Sequence, residues 1–477
     1  MFDEFNPLEN AQLVHHYITN MVDKAYDNLP YWLLLPNKKP AEAAHCRVDD
    51  AELVGSWYEG LVNAMQMLGT DDGDDVKQSL RRHLMKSWGE HGLRFCEKYL
   101  WTHTVHASFH EMGYIMPAMN LITAEYPDDE EAEKRTSELV RGMRSLVIER
   151  KVRTFWSGDY EEEEPIYEFP NDVYLKDGGF ALTRHTGRGE QAIRNALMLP
   201  ALVRRYELKN DETALDLAIG MANYVLGVSR YFNYKMEYFG HVHSAMCFAG
   251  GLVKLGRVLD RKDYIEKGKG IYDYTRSLSS DFGWLPEYAQ WHPMSEEHCE
   301  TCCIRDMIIC AKELIYCGYT EYWNDINMFA RNQLVENQVR YTGYVECDNS
   351  LPDGNGITYR EIDKRMMGGF TGGSGFPRHR QNRTLGGLHN GFIRRIHTHF
   401  ERSGKRRAVR FVEAFKPFGK SAEQQRQDNA GVAARTAQHR RSRRIRSGGD
   451  GGVTETGQFP SGVANRHRHI RSRIAVR

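Results

Sequence analysis

The chain has 477 residues, 27% of them charged, and a formal net charge of zero. This length allows one large domain or several ordinary ones, each with a substantial core. No run approaches the ~20 apolar residues that cross a bilayer, and the acidic start Met1-Phe2-Asp3-Glu4-Phe5 lacks the apolar stretch of a secretion signal. The nine unevenly spaced cysteines fit a reducing compartment, so the sequence predicts a cytoplasmic protein with no membrane partner.

The part of the chain before residue 376 consists mainly of helical patterns. Apolar residues recur near i, i+3, i+4 and i+7 in residues 51–68, 75–96, 106–124, 130–153, 189–206, 211–230, 243–259, 262–278, 301–317 and 320–338. Strand-like runs are rare, the clearest being 343–346, and the acidic run 159–164 is interpreted as a solvated loop. The pattern predicts an all-α fold, an (α/α)6 toroid of inner and outer helices, complete or cut short near residue 375. The loops at one end of such a barrel would surround a central cleft.

The part after residue 375 has a different composition. About two dozen Lys and Arg stand there against about half a dozen acids, which leaves about −18 on the preceding part. It contains no Trp, Tyr, Cys or Met, so it has little apolar surface with which to fold. We expect residues 376–477 to be a disordered, Arg-rich tail, either a nucleic-acid-binding arm around 440–446 or an out-of-frame translation. The abrupt change at 372–375 favours the second interpretation. The arginines also lack interleaved aromatic stacking platforms, so no nucleic-acid partner is expected.

A cluster of metal-ligand residues precedes the predicted helix 301–317, in the run Glu297-His298-Cys299-Glu300-Thr301-Cys302-Cys303-Ile304. In a cytoplasmic protein such a cluster indicates a metal or redox site rather than a disulfide. Glu300 and Cys302 would point ~200° apart on a regular helix, so they can share a metal only if the chain is extended or just entering its helix near Thr301. Zinc accepts carboxylate and thiolate ligands and takes four of them. Two ligands leave the set incomplete, and the alternative is a helix start that happens to contain thiols.

The later cysteines follow a helical stripe. Cys303, Cys310 and Cys317 lie at intervals of seven residues, a spacing typical of small buried core residues. We therefore expect Cys310 and Cys317 to be structural.

The cluster and its surroundings resemble glycoside hydrolase family 127, the β-L-arabinofuranosidase family. The resemblance is carried by Glu300-Thr301-Cys302, by 322–325 and 330–334, and by the segments 178–187, 240–244 and 368–374. It covers most of residues 40–375 and implies an (α/α)6 catalytic barrel with a retaining mechanism, in which a cysteine nucleophile is held on zinc. Glu300 and Cys302 match two zinc ligands of that family. The remaining ligands, including the nucleophile, come from a later Cys-Cys segment, whereas the last cysteine here is Cys347 and the family's downstream β-sandwich has no counterpart.

Other residues are candidates for the acid and for sugar binding. A glycosidase needs a carboxylic acid to protonate the leaving oxygen, and Glu287, among aromatic residues slightly upstream of Glu300, is our choice over a solvated loop glutamate. Trp284 offers a stacking face for a sugar ring, although an aromatic residue in a barrel can equally belong to the core. His241 and His243 open a helix and could hydrogen-bond sugar hydroxyls, or one could be buried and the other exposed.

Two further groups could contact a ligand. Arg184 and His185 lead into a helix and could hold an anionic or hydroxyl-rich ligand, or form a solvated first turn. His106 and His110, at i and i+4 beside Glu111, are interpreted as a sugar-cleft or core pair.

The sequence thus predicts a zinc-dependent glycoside hydrolase that releases a terminal sugar such as a β-L-arabinofuranoside. Two alternatives remain. One is a catalytically inactive or truncated barrel that binds carbohydrate, because the nucleophile segment is missing. The other is a sugar epimerase on the same barrel, with His241 or His243 as a base. The sequence does not specify the sugar, the linkage or the oligomeric state.

Overall fold

The computed structural model describes residues 6–46, 49–155, 161–181, 190–290, 298–370 and 373–375. The chain divides into two units, Met1–Gln424 and Gln425–Arg477, and every described residue belongs to the first. The predicted tail and the predicted site residues Arg184 and His185 lie outside the described residues, as does Glu297, the first residue of the metal-ligand cluster.

The described residues are mostly helical. The helices are α1 Pro7–Asn20, α2 Val54–Leu68, α3 Asp74–Leu84, α4 Phe109–Glu125, α5 Glu130–Leu146, α6 Glu190–Asn195, α7 Leu199–Lys209, α8 Glu212–Asn223, α9 Val242–Leu259, α10 Lys262–Ser277, α11 Thr301–Tyr316, α12 Trp323–Phe329 and α13 Ile362–Arg365. None of them is long and apolar enough to span a membrane.

The strands are short. They are β1 Val22–Asp23, β2 Leu29–Pro30, β3 Leu33–Leu35, β4 Glu42–Ala44, β5 His106–Ser108, β6 Ile148–Phe155, β7 Glu161–Glu168, β8 Val173–Leu175, β9 Gly240–His241, β10 Tyr288–Ala289, β11 His298–Glu300, β12 Ile357–Thr358 and β13 Gly373–Gly375. They form small antiparallel sheets: β1–β2, β3–β4–β12, β5–β8, β6–β7, β9–β10 and β11–β13.

The helices divide into an inner and an outer set. In α2, α4, α9 and α11 nearly every residue of the first three turns is buried, whereas α3, α5 and α10 bury only one face. A helix that is buried on all sides belongs to the interior, and an amphipathic helix covers it. Consecutive helices therefore form inner and outer pairs, as the predicted (α/α)6 architecture requires.

Contacts between the first helix and the chain after α12 close the ring. Gln338 Nε2 donates to the carbonyl oxygen of Asn10 at 3.1 Å, and Arg340 pairs with Glu9. Gly368 lies against the backbone of Leu13 with φ of 86°, and a Cβ atom there would stand 1.9 Å from the Leu13 oxygen. Glycine is therefore required for this close approach.

Local signals explain several helix starts. Asn6, Ser108, Asp129 and Asp211 accept hydrogen bonds from backbone amides in the first turns of α1, α4, α5 and α8, which satisfies otherwise unpaired donors. In α1, Pro7 also supplies a suitable φ at the first helical position.

Several element predictions were wrong. Helix α1 was not predicted, and α3 ends at Leu84 because the chain then turns through left-handed Ser87 and His91. The segment predicted as helix up to residue 153 becomes strand β6 at Ile148, and the acidic run predicted as a loop lies largely in its partner β7. The run 343–346 is a turn and not a strand.

Candidate active site

Inner helices α9 and α11 each begin directly after a short strand, and polar side chains cluster at these two helix starts. Strand β9 leads into α9 and pairs with β10, so that His241 lies opposite Tyr288. Glu287 immediately precedes β10, and its carbonyl oxygen accepts a 2.9 Å hydrogen bond from Val242 N in the first turn of α9. Strand β11 leads into α11 and ends at Glu300. Three segments distant in sequence are thereby brought together.

A glycine sets the entrance to α9. Gly240 has φ of 135°, and a Cβ atom at this position would stand 2.9 Å from the Tyr231 hydroxyl. Only glycine fits both the backbone conformation and the space. The backbone conformation that leads into His241 therefore depends on this glycine.

His241, Glu287 and Glu300 converge on one point. Nε2 of His241 lies 3.0 Å from Oε2 of Glu300 and 3.8 Å from Oε1 of Glu287, and one ligand atom from each residue lies within 4.8 Å of the others. Both glutamates are buried, at 7% and 6% exposure, whereas the His241 side chain is 28% exposed. His241 is therefore the most exposed member of this group.

The surroundings of these three residues are negative. Burial, followed by the charges of Glu300 and Glu287, raises the pKa of the Cys303 thiol well above its usual value. Burial and the same two carboxylates also raise the pKa of Tyr288. A positive charge stabilises buried carboxylates, and a cation bound among these residues would supply one.

The donor set fits zinc. Zinc takes imidazole and carboxylate ligands at about 2.0–2.2 Å, so ligand atoms of one ion lie about 3–4 Å apart, which matches the separations around His241. Within the described part of the chain, His241, Glu287 and Glu300 form the group of His, Cys, Asp and Glu side chains close enough to share an ion. Cys302, the predicted second ligand, is not a member of this group.

Two features expected around the cysteines of α11 are present: an extended chain before Thr301, and core positions for Cys310 and Cys317. The chain is extended through β11, Glu300 occupies the N-cap with φ −85° and ψ 129°, and the helix begins at Thr301. Cys302 is buried in the first turn, and Cys303 Sγ lies 3.7 Å from Glu300 Oε2. Cys310 lies in the hydrophobic core, and Cys317 packs against it at the helix end. The role of Cys302 as a zinc ligand stays a prediction.

His243 belongs to a second, deeper group. Its Nδ1 is hydrogen-bonded to Oδ2 of Asp306 on α11, and its Nε2 lies 3.1 Å from the hydroxyl of Tyr114 on α4. His243, Asp306 and Tyr114 are each 1% exposed. The His243 ring also contacts the ring of His241 edge-on at 5.5 Å between centroids. Asp306 and Tyr114 were not predicted as site residues, although the charged pair Arg305-Asp306 within an otherwise apolar stretch of helix is a signal for Asp306.

The remaining predicted residues lie elsewhere or outside the described part. Trp284 is buried in the hydrophobic core at 5% exposure, and its predicted stacking on a sugar stays a prediction. His106 is bound within its own segment, with Nδ1 3.0 Å from the Thr104 oxygen and 3.7 Å from Cys96 Sγ, and Nε2 3.8 Å from Glu111. His110 contacts the Tyr114 ring at 5.6 Å.

Comparisons with known proteins place the fold. No protein-family model and no curated protein matches the chain. A sugar epimerase from a ruminal bacterium matches with a TM-score of 0.53 and 11% identity, over 76% of this chain and 97% of that chain. A GH127 β-L-arabinofuranosidase from Geobacillus stearothermophilus matches with a TM-score of 0.48 and 8% identity, over 86% of this chain and 59% of that chain. A D-mannose isomerase has a TM-score of 0.49 and 14% identity, over 76% and 94%.

At these identities the similarity concerns the fold, and only the first of the three scores is high enough to support it. Together with the inner and outer helices, it establishes an (α/α)6 barrel. The predicted membership of glycoside hydrolase family 127 stays a prediction.

Proposed function

We propose that this chain is a carbohydrate-processing (α/α)6 barrel of the glycoside hydrolase type. Its substrate would be a terminal furanoside such as a β-L-arabinofuranoside, and its catalysis retaining and zinc-dependent. The observation that carries the proposal is the convergence of His241, Glu287 and Glu300 at the open ends of inner helices α9 and α11. Barrel folds of this kind bind ligands where loops and helix ends surround the central cleft.

The three residues take different roles in this proposal. Glu300 and His241, 3.0 Å apart, would hold zinc together with a thiol of the first turn of α11, for which Cys302 is the predicted ligand. Bound zinc would supply a Lewis acid and keep a coordinated thiol ionised. Glu287, buried and 3.8 Å from His241, would donate its proton to the oxygen of the leaving group as the glycosidic bond breaks. The anomeric carbon would at the same time bond to a cysteine thiolate, which water would then displace.

The experiment is turnover of p-nitrophenyl β-L-arabinofuranoside by the full chain, with and without added zinc, and by E287Q as the matched variant. We expect zinc-dependent release of p-nitrophenol that E287Q reduces. In the family that the sequence resembles, the nucleophile lies in a later Cys-Cys segment. Binding of zinc and arabinose without turnover would therefore show that the chain is an inactive, carbohydrate-binding barrel and not a hydrolase.

A sugar epimerase is the second candidate, favoured by one observation. His241 and His243 lie side by side at the start of α9, and His243 is held by Asp306. Paired imidazoles of this kind can remove a proton from a sugar carbon and return it. Incubation with reducing disaccharides and monosaccharides, followed by chromatography, distinguishes the two. An epimerised product without zinc dependence would favour the epimerase and exclude the hydrolase.

A further inference from the structure

The start of α9 and the start of α11 are connected twice. At the mouth of the barrel, His241 lies 3.0 Å from Glu300. Deeper in the barrel, His243 is hydrogen-bonded to Asp306. His243 and Asp306 are each 1% exposed, so water does not compete for this inner hydrogen bond, and burial strengthens it.

The partners of His243 determine which nitrogen carries its proton. A carboxylate accepts hydrogen bonds and cannot donate them, so the hydrogen bond to Asp306 places the proton on Nδ1. Nε2 is then an acceptor, and the Tyr114 hydroxyl at 3.1 Å donates to it. The guanidinium of Arg305 lies beside the second oxygen of Asp306.

This chain of hydrogen bonds ties together three inner helices: α4 through Tyr114, α9 through His243 and α11 through Asp306. The rings of His241 and His243 are also in edge-on contact. The inner connection thus fixes the displacement of α9 along α11. The same displacement sets the separation between His241 and Glu300.

Resting on the proposed zinc site, we infer that Asp306, His243 and Tyr114 are positioning residues that hold His241 and Glu300 at ligand distance. None of the three contacts the metal. They act in the way of outer-shell partners, whose loss typically lowers metal affinity about 10-fold to 100-fold.

The test measures zinc affinity of the full chain by competition with a chromogenic chelator, for wild type, D306N and Y114F. We expect D306N to weaken zinc binding about 10-fold to 100-fold and Y114F to weaken it less, because the Asp306 contact to His243 survives. Thermal unfolding without metal, recorded in parallel, reports the purely structural cost.

The matched control is D325N. Asp325 also accepts a hydrogen bond from a buried residue, Tyr272, at 2.9 Å and pairs with an arginine, Arg276, but it connects α10 and α12. We expect D325N to lower stability and leave zinc affinity unchanged. Equal zinc affinity in D306N and wild type would overturn the inference. Absence of zinc binding in wild type would instead overturn the proposed function, so the two failures are distinguishable.

Discussion

Inner helices α4 and α9 both begin directly after a short antiparallel strand that carries a histidine, His106 in β5 and His241 in β9. At α4, the contacts of His106 go to Thr104, Cys96 and Glu111, all within fifteen residues of one another in the sequence. At α9, His241 faces Glu287 and Glu300, 46 and 59 residues away. We call these two helix starts the α4 entrance and the α9 entrance. A strand followed by a helix start thus gives a histidine held by nearby residues at the α4 entrance, and a histidine grouped with residues from distant segments at the α9 entrance.

The difference lies in what the neighbouring segments contribute. A strand followed by a helix start places a histidine at each position, but at α9 its partners come from distant segments and its side chain is 28% exposed, against 10% for His106. Burial opposes a charge on His106, yet the neighbouring Cys96 and Glu111 side chains outweigh burial and raise its pKa to about 11. The protonated form of His106 is therefore favoured beside Glu111.

The largest expected effect is on metal binding. E300Q should abolish zinc binding, weakening it more than about 100-fold, because it removes a charged ligand. E111Q, which changes the buried glutamate of the α4 entrance, should leave zinc affinity within about twofold. Chelator competition on both variants measures their zinc affinities. Equal losses of zinc affinity in E300Q and E111Q would show that the two entrances do not differ in metal binding.

The next effect concerns catalysis within the α9 entrance. E287Q should lower turnover of substrates with poor leaving groups about 100-fold to 10,000-fold, the range of general acid catalysis, and should lower release of p-nitrophenol by a smaller factor, because p-nitrophenolate leaves with little protonation. Its zinc content should equal that of wild type. A parallel loss of zinc would show instead that Glu287 is a metal ligand.

A substitution at Gly240 tests the α9 entrance through the free energy of unfolding. G240A should destabilise the protein by about 1–3 kcal/mol, because alanine is strained at φ of 135° and meets the Tyr231 hydroxyl. G227A is the control, since a Cβ atom there meets nothing within 4 Å. Chemical denaturation of both variants measures the difference, and similar losses would contradict the account of the α9 entrance.

The smallest effect is a pH dependence at the α4 entrance. The folded-state pKa of His106, about 11, lies above its ordinary value of 6.5, so its protonation stabilises the fold fully below pH 6.5 and progressively less as the pH rises toward 11. The stability difference between wild type and H106Q should therefore be larger at pH 6 than at pH 10. A difference that is constant or grows with pH would show that His106 is not held as a cation.

Much of the barrel could be predicted from the sequence because inner helices such as α9 and α11 carry continuous apolar patterns with glycine or acidic residues at their ends. The β6–β7 hairpin could not be predicted. Ile148 and Val152 mimic a helical spacing, and the acidic run pairs with a basic residue distant in sequence, as in Arg261–Glu164.

The site was predicted only in part for a similar reason. Glu300, Glu287 and His241 were each singled out by their local surroundings. Their convergence follows from the pairing of β9 with β10 and from the packing of α9 on α11, which no local pattern encodes. Asp306 and Tyr114 were missed because a buried polar residue on an inner helix resembles any other polar residue until its partner is known.

The most direct test of the zinc site at the α9 entrance is zinc K-edge X-ray absorption on the full chain, with E300Q as reference. We expect about one tightly bound zinc per chain, with nitrogen and oxygen scatterers from His241 and Glu300 and a sulfur scatterer from the first turn of α11, all lost in E300Q. A chain that retains no zinc after dialysis, or an identical spectrum from E300Q, would contradict it.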